Sequence, residues 1–385
     1  MKFFIANIIL ILLNSYVVSR LARHLPINNY KFSFLLIVLS ITAVQDIVHL
    51  KPKQLQVFEQ FFNSEKVIFL IYQASYLLFG IMTSLFIYIL IMDIIGIILK
   101  LSVSSTSSLY VCFGKFYLTI ISMSVLITII GGVIEVVKGP IIEEVEIPIK
   151  NLPVSFDNFR IIQISDLHVG KIIKRNYVLN VVNIANSLDP NLIVLTGDFV
   201  DGSVQELRND ISPLGQLKSS HGIFFVTGNH EYYSGVDQWI KLFTNFGIKV
   251  LSNEYVLIKH MNEHVILAGV TDYSTIRTQS PDASSPSKAL LGAPKDLVKV
   301  LLAHQPASYI EAHKAGYNLQ LSGHTHAGQY FPFTILIRFF HRYYKGLNYH
   351  EGMWIYINRG TGYWGPPLRL GAPPEITLIK LKSVF

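Results

Sequence analysis

The sequence predicts an α/β domain preceded by an all-α, membrane-spanning region. Three observations lead there. The first 140 residues carry four long apolar runs. The rest of the chain changes to short apolar runs separated by helix-like stretches. In that second part, the Asp, Asn and His motifs stand just past the ends of the short runs.

The chain has 385 residues, enough for two domains of roughly 100–200 residues each. Hydrophobic residues make up 51% and charged residues 15%, against about 25% charged in ordinary soluble chains. The net charge of +7 comes from scattered Lys and Arg. With no dense basic run and no aromatic–basic platform, it disfavours nucleic acid as a partner and suits anionic headgroups or phosphate substrates. The one cysteine, Cys112, allows neither an internal disulfide nor a Cys-based zinc site. Nothing in the chain implies a protein partner.

The apolar runs are Phe3 to Val18, about Phe32 to Leu50, Val67 to Leu99 and about Tyr117 to Val137. Each is near the roughly 20 residues that cross a hydrocarbon core, and the third is long enough to tilt strongly or to form two segments. No small-x-small cleavage site follows the first run, and Arg20 and Arg23 come next, so it reads as an uncleaved span. Basic residues are shared about equally among the connections, so charge sets no orientation. Asp46 and Asp93 lie in or beside apolar runs and read as interfacial or helix-paired carboxylates. Lys138-Gly139-Pro140 closes this region, and Glu143 to Ile147 alternates like a half-buried strand. The expected domains are therefore 1–140, a membrane region of about four helices, and 141–385. Residues 102–108 and 274–288 read as loops.

From Phe159 onward each element follows the same plan. Arg160 to Ser165 reads as a buried strand leading to Asp166-Leu167-His168. Asn191 to Thr196 leads to Gly197-Asp198, and Gly222 to Thr227 leads to Gly228-Asn229-His230-Glu231. Val298 to Ala303 ends at His304, and Asn318 to Leu321 ends at Gly323-His324-Thr325-His326. Helix-like stretches, among them Tyr177 to Ala185 and Val236 to Phe246, lie between strands. Open α/β sheets build their sites at the carboxyl ends of their strands.

Carboxylates, an amide oxygen and imidazoles make a mixed O/N donor set. Such a set suits Mn, Fe, Zn or Co better than a dedicated Mg or Ca cage. A one-residue gap lets Asp166 and His168 aim at one ion, and Asp198 can bridge two. Gly228 and Gly323 are expected to let the backbone turn sharply and bring ligands close. Taken singly, each motif is an ordinary strand end, turn or helix cap. It is the five in this order, each closing an apolar run, that point to a metal site.

That ordered set resembles the calcineurin-like metallophosphoesterase superfamily, over residues 145–385. The resemblance implies an α/β/β/α sandwich with a dinuclear site of two divalent ions. It implies that Asp166, His168, Asp198 and His326 hold one ion and that Asp198, Asn229, His304 and His324 hold the other. His230 is implied to be a catalytic histidine near the leaving group and not a ligand. Paired cations lower the pKa of a bound water and neutralise phosphoryl charge, while His230 serves as proton donor or charge stabiliser. Asp201 and Glu231 are candidates to orient ligand imidazoles.

The tail, Asn358 to Gly371 followed by Pro374-Glu375-Ile376, is similar to the ending of bacterial membrane-anchored phosphoesterases. That branch includes relatives of enzymes that cleave the pyrophosphate of a lipid A precursor, so Arg369 becomes a candidate contact to substrate phosphate. The expected protein is a multi-pass enzyme of a bacterial cell membrane that hydrolyses a phosphodiester or pyrophosphate, with lipid-linked compounds among its substrates. The alternatives are an anchored hydrolase of soluble nucleotides and a catalytically silent membrane scaffold or transporter. One further segment stands out. Gln329 to Lys345 is dense in aromatic and aliphatic residues, with Arg338, Arg342 and Lys345 at helix-like spacing. It reads either as a helix lying in the headgroup layer or as a core helix with a basic edge.

Overall fold

The computed structural model describes residues 2–24, 64–104, 106–278 and 282–384. The expected span from Phe32 to Leu50, with Asp46, lies outside the described residues. The chain forms two compact units, Met1–Val137 with Gly365–Leu370, and Lys138–Trp364 with Gly371–Phe385.

The first unit is helical, with α1 (Lys2–His24), α2 (Glu65–Ser102) and α3 (Ser108–Lys138). Both α2 and α3 are long and apolar enough to cross a membrane. The third apolar run is thus one helix of 38 residues. At 1.5 Å per residue it is about 57 Å long, longer than a hydrocarbon core of about 30 Å, so in a bilayer it would have to tilt or project. Asp93 of α2 is a helix-paired carboxylate. It accepts from Arg20 Nε of α1 at 2.6 Å and from the Tyr117 hydroxyl of α3 at 2.8 Å, and the Tyr16 hydroxyl also donates to it. Asp93→Ala should lower the thermal midpoint in detergent, by an amount equivalent to about 1–2 kcal/mol, the scale of interhelical hydrogen bonds in membranes. An unchanged midpoint would mean that the clasp adds nothing.

The segment Gly365–Leu370 belongs to this helical unit. Leu368 packs against Gly80 of α2 and Gly132 of α3, and Leu370 against Gly131. The Arg369 N–H donates to the Gly132 carbonyl at 3.1 Å. A Cβ at Gly132 would meet Leu368 at 3.0 Å, so the absence of side chains on these helices admits the segment. The Arg369 side chain is fully buried.

The second unit holds twelve strands in two sheets of six. The strands are β1 (Ile141–Lys150), β2 (Arg160–Ile164), β3 (Leu192–Leu195), β4 (Ile223–Phe225), β5 (Lys249–Val250), β6 (Glu254–His260), β7 (Glu263–Gly269), β8 (Lys299–Leu302), β9 (Leu319–Ser322), β10 (Gly346–His350), β11 (Met353–Ile357) and β12 (Glu375–Val384). Their orders are β1-β12-β2-β3-β4-β5 and β10-β11-β9-β8-β7-β6. Neighbours among β2, β3, β4 and β5 run parallel, as do β7, β8, β9 and β11. Helices α4 (Arg175–Ser187), α5 (Val204–Ile211), α6 (Asn229–Tyr233), α7 (Val236–Asn245), α8 (Tyr309–Lys314) and α9 (Phe333–Leu336) follow the strands.

Strand residues alternate between faces with period two, and that alternation builds the layers. Ile161, Val194 and Phe224 from the first sheet meet Leu267, Val300 and Leu321 from the second in the central core. The intervening residues face outward onto helices. Phe225 meets Phe243 of α7 with ring centroids 4.7 Å apart, and Leu301 and Ile266 pack with Ala312 of α8. This is the α/β/β/α sandwich. At its middle, Gln163 of β2 reaches across, donating to Thr196 Oγ1 and to the Ser322 carbonyl, both at 2.9 Å. It joins the two sheets just beneath the ends where the histidines and aspartates collect.

Candidate metal centre

Parallel strands present their carboxyl ends on one edge, and five of them deliver the site. Asp166 and His168 follow β2, Asp198 follows β3, and Asn229 and His230 open α6 after β4. His304 follows β8, and His324 and His326 follow β9. At this edge three groups have ligand atoms that all lie within 4.8 Å of one another: Asp166, His168 and His326; His168, Asp198 and His230; and Asp198, His304 and His324. Asp198 and His168 each belong to two groups, so the groups form one continuous centre.

His168 Nε2 faces His326 Nε2 at 3.1 Å, and His326 Nε2 lies 3.4 Å from Asp166 Oδ1. Asp198 Oδ2 lies 3.0 Å from His304 Nε2, which faces His324 Nδ1 at 3.2 Å. The outward nitrogens fix two tautomers. His168 Nδ1 points at the Asp201 carboxylate at 3.1 Å, and His304 Nδ1 at the Thr196 carbonyl at 2.8 Å. Both acceptors require N–H at Nδ1, which leaves the lone pair on Nε2 turned inward. Asn229 Oδ1 is a buried oxygen with no hydrogen-bond partner. Buried acceptors are seldom left orphaned, and a cation would satisfy this one together with the inward lone pairs. The donor set therefore fits divalent metal ions.

With protons alone to balance it, the centre is strained electrostatically. Burial disfavours charge on Asp198, but the imidazoles of His304 and His230 outweigh it and hold its carboxyl well below the ordinary range. Burial raises Asp166, and the pull of His304 offsets this only in part. Burial would lower His304, but Asp198 drives it well above the usual value. Burial and the neighbouring His304 push His324 down to about 3. Burial also works against charge on His230, yet Asp198 and Asp201 lift it to about 10. Groups perturbed in opposite directions within one cluster are typical of functional sites.

The backbone is strained as well. Asp166, His168, Asp198, His324 and His326 have φ of 51°, 52°, 57°, 71° and 49°. Left-handed residues other than glycine cost on the order of 1–3 kcal/mol each and cluster where geometry serves function. Gly228 and Gly323 bring ligands close, as expected, but not through a left-handed turn. Neither adopts a positive φ; what they permit is close approach, since a Cβ on either would overlap an Asp198 or Asp166 carboxylate oxygen. The turn is made by Gly197, at φ +85°, where a Cβ would also lie 2.7 Å from His304 Nδ1.

Two carboxylates brace the centre. Asp201 takes His168 Nδ1 at 3.1 Å and His230 Nδ1 at 2.6 Å, orienting both rings as expected. Glu231 does something else: it touches no ligand imidazole and accepts the backbone N–H groups of Asp198, Phe199 and Gly228 at 3.0, 2.7 and 2.7 Å. It thereby ties the loop after β3 to the loop after β4. Glu231→Gln turns an N–H₂ toward buried N–H groups, so it should lower stability by about 1–3 kcal/mol, the cost of an unsatisfied buried donor. Thermal unfolding read at the domain's tryptophans checks this, and an unshifted transition would remove the brace. In the sequence each of these two candidates reads equally well as a surface or capping carboxylate. Their only sequence signal was position, Asp201 three residues past Asp198 and Glu231 two past Asn229.

His230 keeps a partly exposed edge, with Nε2 3.9 Å from Asp198 Oδ2. The Tyr233 and Trp364 rings flank it at 5.4 and 6.0 Å. Arg369 belongs to the helical unit.

Comparison with known proteins agrees with this geometry. The family model for calcineurin-like phosphoesterases matches residues 159–328. A transmembrane protein with a metallophosphoesterase domain from Danio rerio is 35% identical over 292 residues, 74% of this chain and 67% of that protein. An uncharacterised metallophosphoesterase of Campylobacter jejuni is 29% identical over 99% of this chain and 98% of its own length. Another, from Aquifex aeolicus, is 32% identical over 63% of this chain and 92% of its own. The aligned stretch covers 59–67% of the vertebrate relatives and of two from Helicobacter pylori.

Proposed function

This chain belongs to the calcineurin-like metallophosphoesterase family and is a metal-dependent phosphoesterase, and from that premise we propose a membrane-anchored hydrolase that uses two divalent cations to cleave a phosphodiester or pyrophosphate, lipid-linked compounds included. The observation that carries the proposal is the sharing of Asp198 between two donor groups beside the orphaned Asn229 Oδ1. In this reading Asp166, His168, Asp198 and His326 hold one cation. Asp198, Asn229, His304 and His324 hold the other. Two cations bound there would supply an activated water and neutralise charge on the phosphoryl oxygens.

The chain's own groups do the rest. Asp201 keeps the Nδ1 protons on His168 and His230, so the His230 Nε2 proton is free to pass to the leaving oxygen. In this reading His230, whose Nδ1 is committed to Asp201, is assigned as the proton donor and not as a further ligand. Arg369, whose side chain is fully buried, is given no step in this proposal. The membrane anchor is supported by the two long apolar helices and by vertebrate relatives named as transmembrane proteins; its placement as a multi-pass anchor in a bacterial cell membrane is part of the proposal, in keeping with metallophosphoesterase relatives from Helicobacter pylori and Campylobacter jejuni.

The deciding experiment is purification of the full chain in detergent with Mn, followed by a screen of aryl phosphodiesters, nucleotides and lipid pyrophosphates. Hydrolysis that stops on chelation and returns with Mn is expected. Failure to cleave any of these with both metals bound would favour a silent scaffold.

A further inference from the structure

The 329–345 segment is neither of the helices the sequence suggested. After Pro332 it makes the single turn α9, then a 3-10 turn over Ile337–Phe339. It is not core: Phe339 and Phe340 are 80% and 79% exposed, and Ile335 is 47% exposed. Two adjacent phenylalanines held in water forgo roughly 1.5–3 kcal/mol each relative to burial.

We propose that this lobe is an interfacial foot that seats on an anionic bilayer surface beside the metal centre. Its charge suits that partner. No Asp or Glu occurs between Gln329 and His350, whereas Arg338, Arg342 and Lys345 flank the phenylalanines in sequence. Among the described residues these three cations stand over tyrosine rings, Arg338 and Lys345 near Tyr344 at 5.8 and 5.9 Å and Arg342 near Tyr343 at 5.5 Å. None of them forms an ion pair with a described carboxylate. Exposed aromatics ringed by cations bind headgroup layers through apolar insertion plus about 1 kcal/mol per basic residue.

The foot is fixed to the site. The Thr325 hydroxyl, between His324 and His326, donates to the Tyr344 carbonyl at 2.6 Å. The His341 ring lies 6.1 Å from the His324 ring. Gln329 donates to the Trp364 carbonyl at 2.8 Å and accepts the Trp364 N–H at 2.9 Å. A phosphoester whose acyl chains stay in the bilayer would therefore present its headgroup within reach of the metal ligands. This consequence for substrate choice rests on the hydrolase reading; the seating does not.

The test uses the full chain in nanodiscs of phosphatidylcholine and phosphatidylglycerol in equal parts, with and without brominated acyl chains. Phe339→Trp should add a blue-shifted emission that bromolipid quenches by more than half. Met261→Trp serves as control, because Met261 is 72% exposed at the β6–β7 turn, at the opposite strand ends from the metal centre; its added emission should be unquenched. Replacing phosphatidylglycerol, or making Arg338→Glu with Arg342→Glu, should reduce quenching at position 339. Water-like, unquenched emission at 339 overturns the proposal. So does blue-shifted emission that bromolipid leaves untouched, which would mean a protein partner or a second copy. A separate arm compares hexadecyl with ethyl p-nitrophenyl phosphate. Phe339→Ser with Phe340→Ser should lower the rate ratio of long to short chain. Quenching without a fall in that ratio would uphold the seat and overturn substrate selection, and cleavage of neither ester would count against the hydrolase reading alone.

Discussion

Asp198→Asn should abolish most activity and strip metal from both halves of the centre while leaving the fold intact. Asp198 offers Oδ2 to His304 Nε2 at 3.0 Å and Oδ1 to the His230 backbone N–H at 2.8 Å, and it belongs to two donor groups. Asparagine keeps the shape and one acceptor oxygen but removes the negative charge that two cations would share. The backbone has no reason to move. Position 198 has φ +57°, and asparagine tolerates the left-handed region better than most residues. A loss of about 10³-fold or more is expected, beyond the scale of removing one charge-stabilising group. Elemental analysis should find fewer than two metals per chain, with the circular dichroism spectrum unchanged. Near-normal turnover with full metal occupancy would sink the shared-carboxylate assignment.

What could be read from sequence was what depends on local pattern. The five strands ahead of the ligand motifs are legible to within about two residues, because short apolar runs closed by Gly, Asp or His mark buried parallel strands. The helices at Arg175–Ser187 and Val236–Asn245 followed from apolar spacing in the same way. The hairpin β6–β7 escaped notice because Glu254 to His260 lies at the sheet edge, mostly half-exposed, and carries no motif. The Gln329 to Lys345 segment misled because its basic spacing is helical, while its aromatic residues have weak helix propensity.

Interactions between distant residues were not legible. Nothing in the sequence says that Leu368 fills the notches at Gly80 and Gly132. Nor does sequence distinguish Glu231, which ties two loops through their backbones, from an ordinary helix-start carboxylate. Histidines within one motif can also differ in role through their partners. His324 turns Nδ1 inward and His326 turns Nε2.

His230→Ala should separate rate from metal content. The ring is partly exposed, its Nδ1 is held by Asp201 at 2.6 Å, and its Nε2 lies 3.9 Å from Asp198. A group in that position can give a proton to a leaving oxygen, a contribution of typically about 10²–10⁴-fold. The variant should lose activity on that scale and keep its full metal complement; loss of one metal per chain would make His230 a ligand. Its protonation gives a second readout that does not depend on turnover. In chelator-treated protein, burial opposes the His230 charge, but Asp198 and Asp201 raise its pKa from 6.5 to about 10. A raised pKa means that the folded state binds the proton more tightly than the unfolded chain does. The resulting stability is fully present below the unfolded value and is lost as pH rises through the folded one. Wild type and His230→Ala, both treated with chelator, should therefore differ most in melting temperature near pH 6 and converge toward pH 10. A gap that stays constant across that range would mean that the Asp198 and Asp201 carboxylates do not hold the proton on His230, and the case for it as the proton donor would fall with it.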